Sequence, residues 1–229
     1  MTGTRDRMLA RIRASNGRTG PVSADVAASN AARLAAHRAN LVPARARGDA
    51  AALAERFVAF ATEVAATVDR VAGPDAVPLA VAAYLARHNL KAELAAAPDP
   101  ALDAFPWDRQ KTLAIRRGKA EPDDAVALTA SFAGIAETGS LMVHSGATTP
   151  NTLHFMAPTH IAVLRARDIV GSYEEAWAAL RRRLGDAFPP RTVTLITGPS
   201  RTSDIEKTSY VGMHGPHRLH IILVDDQTA

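Results

Sequence analysis

The run His160-Ile161-Ala162-Val163-Leu164-Arg165 and its companion near the end of the chain, Leu219-His220-Ile221-Ile222-Leu223-Val224, decide the fold. Neither alternates apolar with polar residues as a half-exposed strand does. Each holds four apolar residues in an unbroken row, the pattern that burial on both faces of a parallel sheet produces. Working outward, strand patterns recur at Thr112–Arg116, Ala125–Ser131, Leu141–His144 and Thr192–Thr197, with a short one around Lys91 to Ala96. Helical patterns lie between them, at Tyr173–Leu184 and from Asp204 onward. Upstream, Leu53, Phe57, Phe60, Val64, Val68 and Val71 recur at helical spacing and predict one helix of about six turns from Asp49, closed by Gly73-Pro74. Asp75 opens a second helix reaching about Asn89. The chain is therefore expected to be of the α/β class, a three-layer α/β/α sandwich with helices on both faces of a largely parallel sheet.

The start of the chain reads differently. Thr4 to Asn16 carries Met8, Leu9 and Ile12 on one face and ends at Gly17, the residue that most readily takes a left-handed cap. Gly20 to Gly48 is weakly patterned, alanine-rich and broken by Pro21 and Pro43. We expect an N-terminal helical arm over 1–45 and an α/β domain over 46–229. Of the 229 residues, 60 carry a bulky apolar side chain, which suffices for one sizeable core and not two.

Charge and composition remove several classes of function. The formal net charge is +4, but residues 1–60 hold ten arginines against four acids, leaving the rest of the chain slightly acidic. With only four lysines and 5% aromatic residues there is no basic, aromatic-interleaved face for nucleic acid, and none is expected as a partner. There is no cysteine, so thiolate metal sites, iron–sulfur ligation and cysteine nucleophiles are excluded. No apolar run reaches the ~18 residues of a membrane span and no signal-peptide core follows Met1, so the expectation is a cytoplasmic protein without a membrane span.

Three loops gather the residues that can do chemistry. In Ala136-Glu137-Thr138-Gly139-Ser140, Glu137 is placed to act as general base or nucleophile, or else to close a tight turn through backbone hydrogen bonds. Thr197-Gly198-Pro199-Ser200-Arg201-Thr202-Ser203-Asp204-Ile205-Glu206 follows a strand and opens the helix expected from Asp204. Free amides at that helix end, with the forked guanidinium of Arg201, suit a carboxylate or phosphate. Ser203 and Glu206 equally fit a capping box, and the two readings are compatible. Gly212-Met213-His214-Gly215-Pro216-His217 precedes the last strand. His214, His217 and His220 recur every third residue, yet Pro216 prevents helical facing of the three rings, and no metal site is expected. Neither a Walker lysine nor a G-x-G-x-x-G occurs, and no cofactor is expected.

At these loops the sequence resembles the LUD-domain family, in particular its stand-alone lactate-utilisation protein C type. The matching text is Ile135-Ala136-Glu137-Thr138-Gly139-Ser140-Leu141, then Ala157-Pro158-Thr159-His160-Ile161-Ala162-Val163, then Gly198 through Glu206, and last Gly212-Met213-His214-Gly215-Pro216. The resemblance covers about residues 110–224, and GPSRTSDIE followed closely by HGP is its specific part. It implies the NagB/RpiA/CoA-transferase-like fold of ribose-phosphate isomerases, CoA transferases and methenyltetrahydrofolate synthetases. It also implies participation in the oxidation of L-lactate to pyruvate beside iron–sulfur partner subunits. The lack of cysteine agrees with a component that holds no cluster of its own.

The leading expectation is thus a non-redox component that binds a small carboxylate or a partner subunit. Glu137 would be its catalytic group, with Thr138, Gly139, Ser140, Gly198, Ser200, Arg201, Thr202, Asp204, His214 and Gly215 lining the site. The alternative is an enzyme like its fold relatives, acting on a sugar phosphate or CoA ester with Glu137 as base or nucleophile. A third is an assembly factor whose basic arm docks on an acidic partner.

Overall fold

The computed structural model describes residues 3–18, 20–205 and 208–226. The chain divides into two compact units, Met1–Leu41 and Val42–Ala229, so the larger unit starts ahead of the expected residue 46. The smaller unit holds α1 (Thr4–Ser15) and α2 (Ala24–Ala36). Gly17 closes α1 at a φ of 66°, in the left-handed region. Ser23 caps α2 by accepting a hydrogen bond from the Val26 amide.

The larger unit runs α3 (Ala50–Glu63), β1 (Thr67–Val71), α4 (Val77–Arg87), β2 (Glu93–Ala96), α5 (Pro100–Asp103), β3 (Ala114–Arg117) and β4 (Val126–Ala130). It continues with β5 (Ala133–Ile135), β6 (Ser140–His144), β7 (Thr159–Arg165), β8 (Ile169–Val170), α6 (Tyr173–Leu184) and β9 (Val193–Ile196). The hairpin β10 (Arg201–Ile205) and β11 (Thr208–Val211) precedes the last strand, β12 (Arg218–Val224). Six strands form one sheet in the order β1-β12-β7-β4-β2-β3, every neighbouring pair parallel. A four-stranded sheet, β8-β5-β6-β9, lies apart from it.

The two apolar runs do what their pattern implies. Ile161 and Val163 of β7, with Ile222 and Val224 of β12, enter a core shared with α4 and α5. Their neighbours Ala162, Leu164, Ile221 and Leu223 enter a second core, beneath Phe57 and Ala61 of α3. Burying each strand on both faces is the source of the unbroken apolar rows. On the α3 side, Gly134 of β5 lies so close to the main sheet that a Cβ there would sit 2.6 Å from Leu164. The small sheet therefore packs in the same layer as α3, and α6 covers its far face through Ala176 and Leu180. The α/β class, the parallel sheet and the helices on both faces hold; the small second sheet is an addition to the expected sandwich.

Two expected helices are corrected. The long helix from Asp49 stops at Glu63, and Thr67–Val71 becomes the edge strand β1, paired in parallel with β12 from Thr67↔His220 to Val71↔Val224. Valine at 64, 68 and 71 suits either element, and the hydrogen bonds available along β12 select the strand. The helix expected from Asp204 is absent. Arg201 pairs with Val211, Thr202 with Tyr210 and Ile205 with Thr208 in an antiparallel hairpin.

Candidate functional site

The three loops meet around the C-terminal end of α3. Gly139 has a φ of 65° and lies so close to the helix that a Cβ would fall 2.2 Å from the Ala61 nitrogen. Gly198, at a φ of 73°, leaves a Cβ position 2.3 Å from the Val64 carbonyl oxygen. Only glycine combines this backbone with so near an approach, and that is what brings both loops onto the helix end.

Between them the hydroxyls of Thr138, Ser140, Tyr173 and Thr197 form one connected cluster. Thr138 Oγ1 lies 2.8 Å from both Ser140 Oγ and Tyr173 Oη, and Ser140 Oγ lies 2.6 Å from Thr197 Oγ1. These groups satisfy one another and tie β6 to β9 and α6. Arg201 is exposed and donates through Nη2 to the Val64 carbonyl oxygen at 3.4 Å, capping the end of α3. With no helix opening at Asp204, no helix dipole faces Ser200–Thr202, so the anion site expected from helix amides loses its basis. Thr202 is a ladder residue of the hairpin. The side chains of Ser203 and Asp204, and Glu206 altogether, lie outside the described residues.

Ser200 joins the second loop to the third. Its N–H donates to the Pro216 carbonyl at 2.9 Å, and the Gly212 N–H donates to the Ser200 carbonyl at 2.8 Å. A Cβ on Gly215 would touch that of Ser200 at 3.3 Å. His214 is exposed. The N–H groups of His217 and Arg218 both donate to the Pro158 carbonyl, and Arg218 Nη1 donates to Thr159 Oγ1 at 3.0 Å. Pro158 and Thr159 stand at the start of β7, as Arg218 does of β12. This loop cluster therefore belongs to the N-terminal edge of the main sheet, opposite the C-terminal edge where ligands of such sheets bind.

Glu137 sits at the margin of the cluster. Its N–H donates to the Gly171 carbonyl, its own carbonyl accepts from Arg45 Nε, and its carboxylate, 13% exposed, lies 3.7 Å from Arg45 Nη2. His220 is separated from His214 and His217 because it belongs to β12. It is buried, stacked on Tyr84 with centroids 3.9 Å apart, and its Nδ1 lies 2.8 Å from Thr67 Oγ1. No group of three metal-capable side chains occurs among the described residues.

The C-terminal edge carries a cavity of about 750 Å³, whose lining includes Ser131, His144, Thr149, His154, Asp168 and Arg183. None of the residues singled out from the sequence lines it. No sequence pattern marked Ser131, directly after β4, nor His154 and Arg183, which come from a 3₁₀ turn and the last turn of α6. Burial, and then the neighbouring His144, push the His154 ring down to about 4, so it is neutral near pH 7. Burial raises the Asp168 carboxyl, with Arg167 opposing that shift.

A parallel α/β sandwich bearing these loops defines a protein class, and the sequence comparisons give its family. Residues 49–224 match the LUD domain, and the chain belongs to the LUD-domain family. Among similar proteins, lactate utilization protein C of Macrococcus caseolyticus is 33% identical over 126 residues, 55% of this chain and 54% of that protein. Lactate utilization protein C of Bacillus subtilis (strain 168) is 30% identical over 131 residues, 57% of this chain and 54% of that protein. The chain's match thus spans about half the length of these curated relatives. A crystal structure of a DUF162 family protein from Deinococcus radiodurans shares the fold, with a TM-score of 0.57 and 21% identity over 78% of this chain and all of that one.

Proposed function

We propose that this LUD-domain protein serves L-lactate utilisation, the oxidation of L-lactate to pyruvate, as a cytoplasmic component without a redox group of its own that works with iron–sulfur partner subunits. The likeness to proteins named lactate utilization protein C supports the process. The chain has no cysteine with which to hold a cluster. No helix among the described residues is long and apolar enough to cross a membrane.

The observation that carries the non-catalytic role is the state of the loop cluster. Its hydroxyls bond one another, Arg201 caps a helix, and Val211 and Met213 stand about half exposed beside the exposed His214. Such a surface is braced from within and shows apolar side chains among polar ones outside, which suits a partner protein better than a small molecule. Deleting the gene is expected to abolish growth on L-lactate while sparing growth on pyruvate. Restoring it with Met213→Asp is expected to leave the defect and to lose co-purification with the iron–sulfur subunits. Normal growth of the deletion strain on L-lactate would overturn the proposal.

The enzyme reading keeps one supporting observation, the largely buried Glu137 carboxylate beside Arg45. It requires that Glu137→Gln abolish turnover of a sugar phosphate or CoA ester while leaving binding intact.

A further inference from the structure

The cavity at the C-terminal edge is separate from the loop cluster and is built from other elements. Ala130 ends β4 and Ser131 follows it, Asp99 follows β2, and Arg167 and Asp168 follow β7, so three neighbouring strand ends open into it. Arg183 of α6 and His144 of β6 line it from the small-sheet side. At about 750 Å³ it falls within the ~300–1,000 Å³ of pockets that hold sizeable ligands, far more room than lactate needs.

Its lining states what the occupant must offer. His154 is 3% exposed, and its Nδ1 is buried with no hydrogen-bond partner. Thr149 Oγ1, on the same lining, also lacks a partner. Buried polar atoms are normally satisfied, and these two orphans belong to side chains of one cavity wall, so that a small turn of either side chain toward the cavity would give it a partner on a ligand. The neutral His154 ring leaves either a donor or an acceptor at Nδ1, and a hydroxyl, which is both, fits either tautomer. Arg183 is exposed and makes no ion pair among the described residues, while Arg167 shares Asp226 with Arg165. A free guanidinium fork suits an oxyanion. Asp99 and Asp168 on the same lining repel a second negative charge, which favours a singly charged carboxylate over a phosphate dianion.

We propose that this cavity binds a polyhydroxylated monocarboxylic acid larger than lactate, its carboxylate on Arg183 and its hydroxyls on His154 and Thr149. The inference stands on the cavity alone and is independent of the lactate proposal. The test is titration of the full chain with D-gluconate, hexanoate, L-lactate and inorganic phosphate, following the His154 imidazole signals by NMR. D-Gluconate is expected to shift His154 saturably. Hexanoate, the same carbon skeleton without hydroxyls, and L-lactate are expected to bind at least about tenfold more weakly, and phosphate not to bind. Arg183→Ala, at an exposed position, is expected to leave the melting temperature unchanged and to weaken D-gluconate about tenfold or more. No His154 shift with any probe, equal binding of hexanoate or L-lactate, or an unchanged D-gluconate affinity in Arg183→Ala would each overturn the proposal.

Discussion

Three histidines are buried at the heart of the larger unit: His154, His160 and His220. Burial is the main cause of their low pKa values, about 4 for His154, about 3 for His160 and about 4 for His220. Neighbouring rings add to it, His144 for His154 and His154 for His160, while Asp69 works the other way on His220. In the unfolded chain each ring titrates near 6.5, so between 6.5 and about 4 the unfolded state holds protons that the folded state refuses. Stability is therefore complete above pH 6.5 and falls as the pH falls, by ~1.4 kcal/mol per pH unit for each ring. From pH 7 to pH 5 the loss is expected to be about 2 kcal/mol for each of His154 and His160, read as a lower urea midpoint. Equal midpoints at the two pH values would show that these rings are charged or solvated in the folded state. None of this was legible in the sequence, because an isolated histidine in an apolar run carries no sign of whether it will be buried neutral, bonded as His160 is to Thr129, or exposed as His214 is.

At the scale of elements, the same cap closes three helices, and the sequence disclosed it unevenly. After α1 the Arg18 N–H donates to Arg13 O and the Gly17 N–H to Ala14 O. After α4, Leu90 donates to Leu85 and Asn89 to Ala86; after α3, Ala66 donates to Ala61 and Ala65 to Thr62. This double bond pattern needs a left-handed residue, supplied by Gly17, Asn89 and Ala65 at φ of 66°, 52° and 68°. Glycine and asparagine announce such a stop, whereas alanine does not, and this is why the valines after Ala65 read as helix. Ala65 is exposed, so Ala65→Gly relieves the strained backbone without loss of packing. It is expected to raise stability by ~0.5–1 kcal/mol and the melting temperature by about 1–4 °C. A lower melting temperature would contradict the assignment of this cap. The hairpin was hidden by a conflict of signals, since Ser203 to Glu206 fits a capping box while Thr202, Ile205, Thr208 and Val211 favour strands. The small sheet was hidden by size, because β5 has three residues and β8 two, too few to show a period.

For the whole molecule, the main sheet was readable because continuous apolar strands have one economical arrangement, helices on both faces. The candidate site was readable only in part. The sequence brought Glu137, Thr138, Gly139, Ser140, Gly198, Ser200, Arg201 and Gly215 to attention, and the fold draws these loops together around the end of α3. It could not say that they gather at the N-terminal edge of the sheet, nor that the cavity lies at the other, because which end of a sheet a loop occupies depends on connections through a second sheet. The two proposals assign the two edges different tasks, partner contact at one and ligand binding at the other. The central claim is the role in lactate oxidation, and its direct test is an add-back assay. Extracts of the deletion strain are supplied with purified protein and the rate of L-lactate-dependent dye reduction is followed. The account expects the rate to be lost in the deletion extract and restored by the intact protein; an undiminished rate in the unsupplemented extract would contradict it.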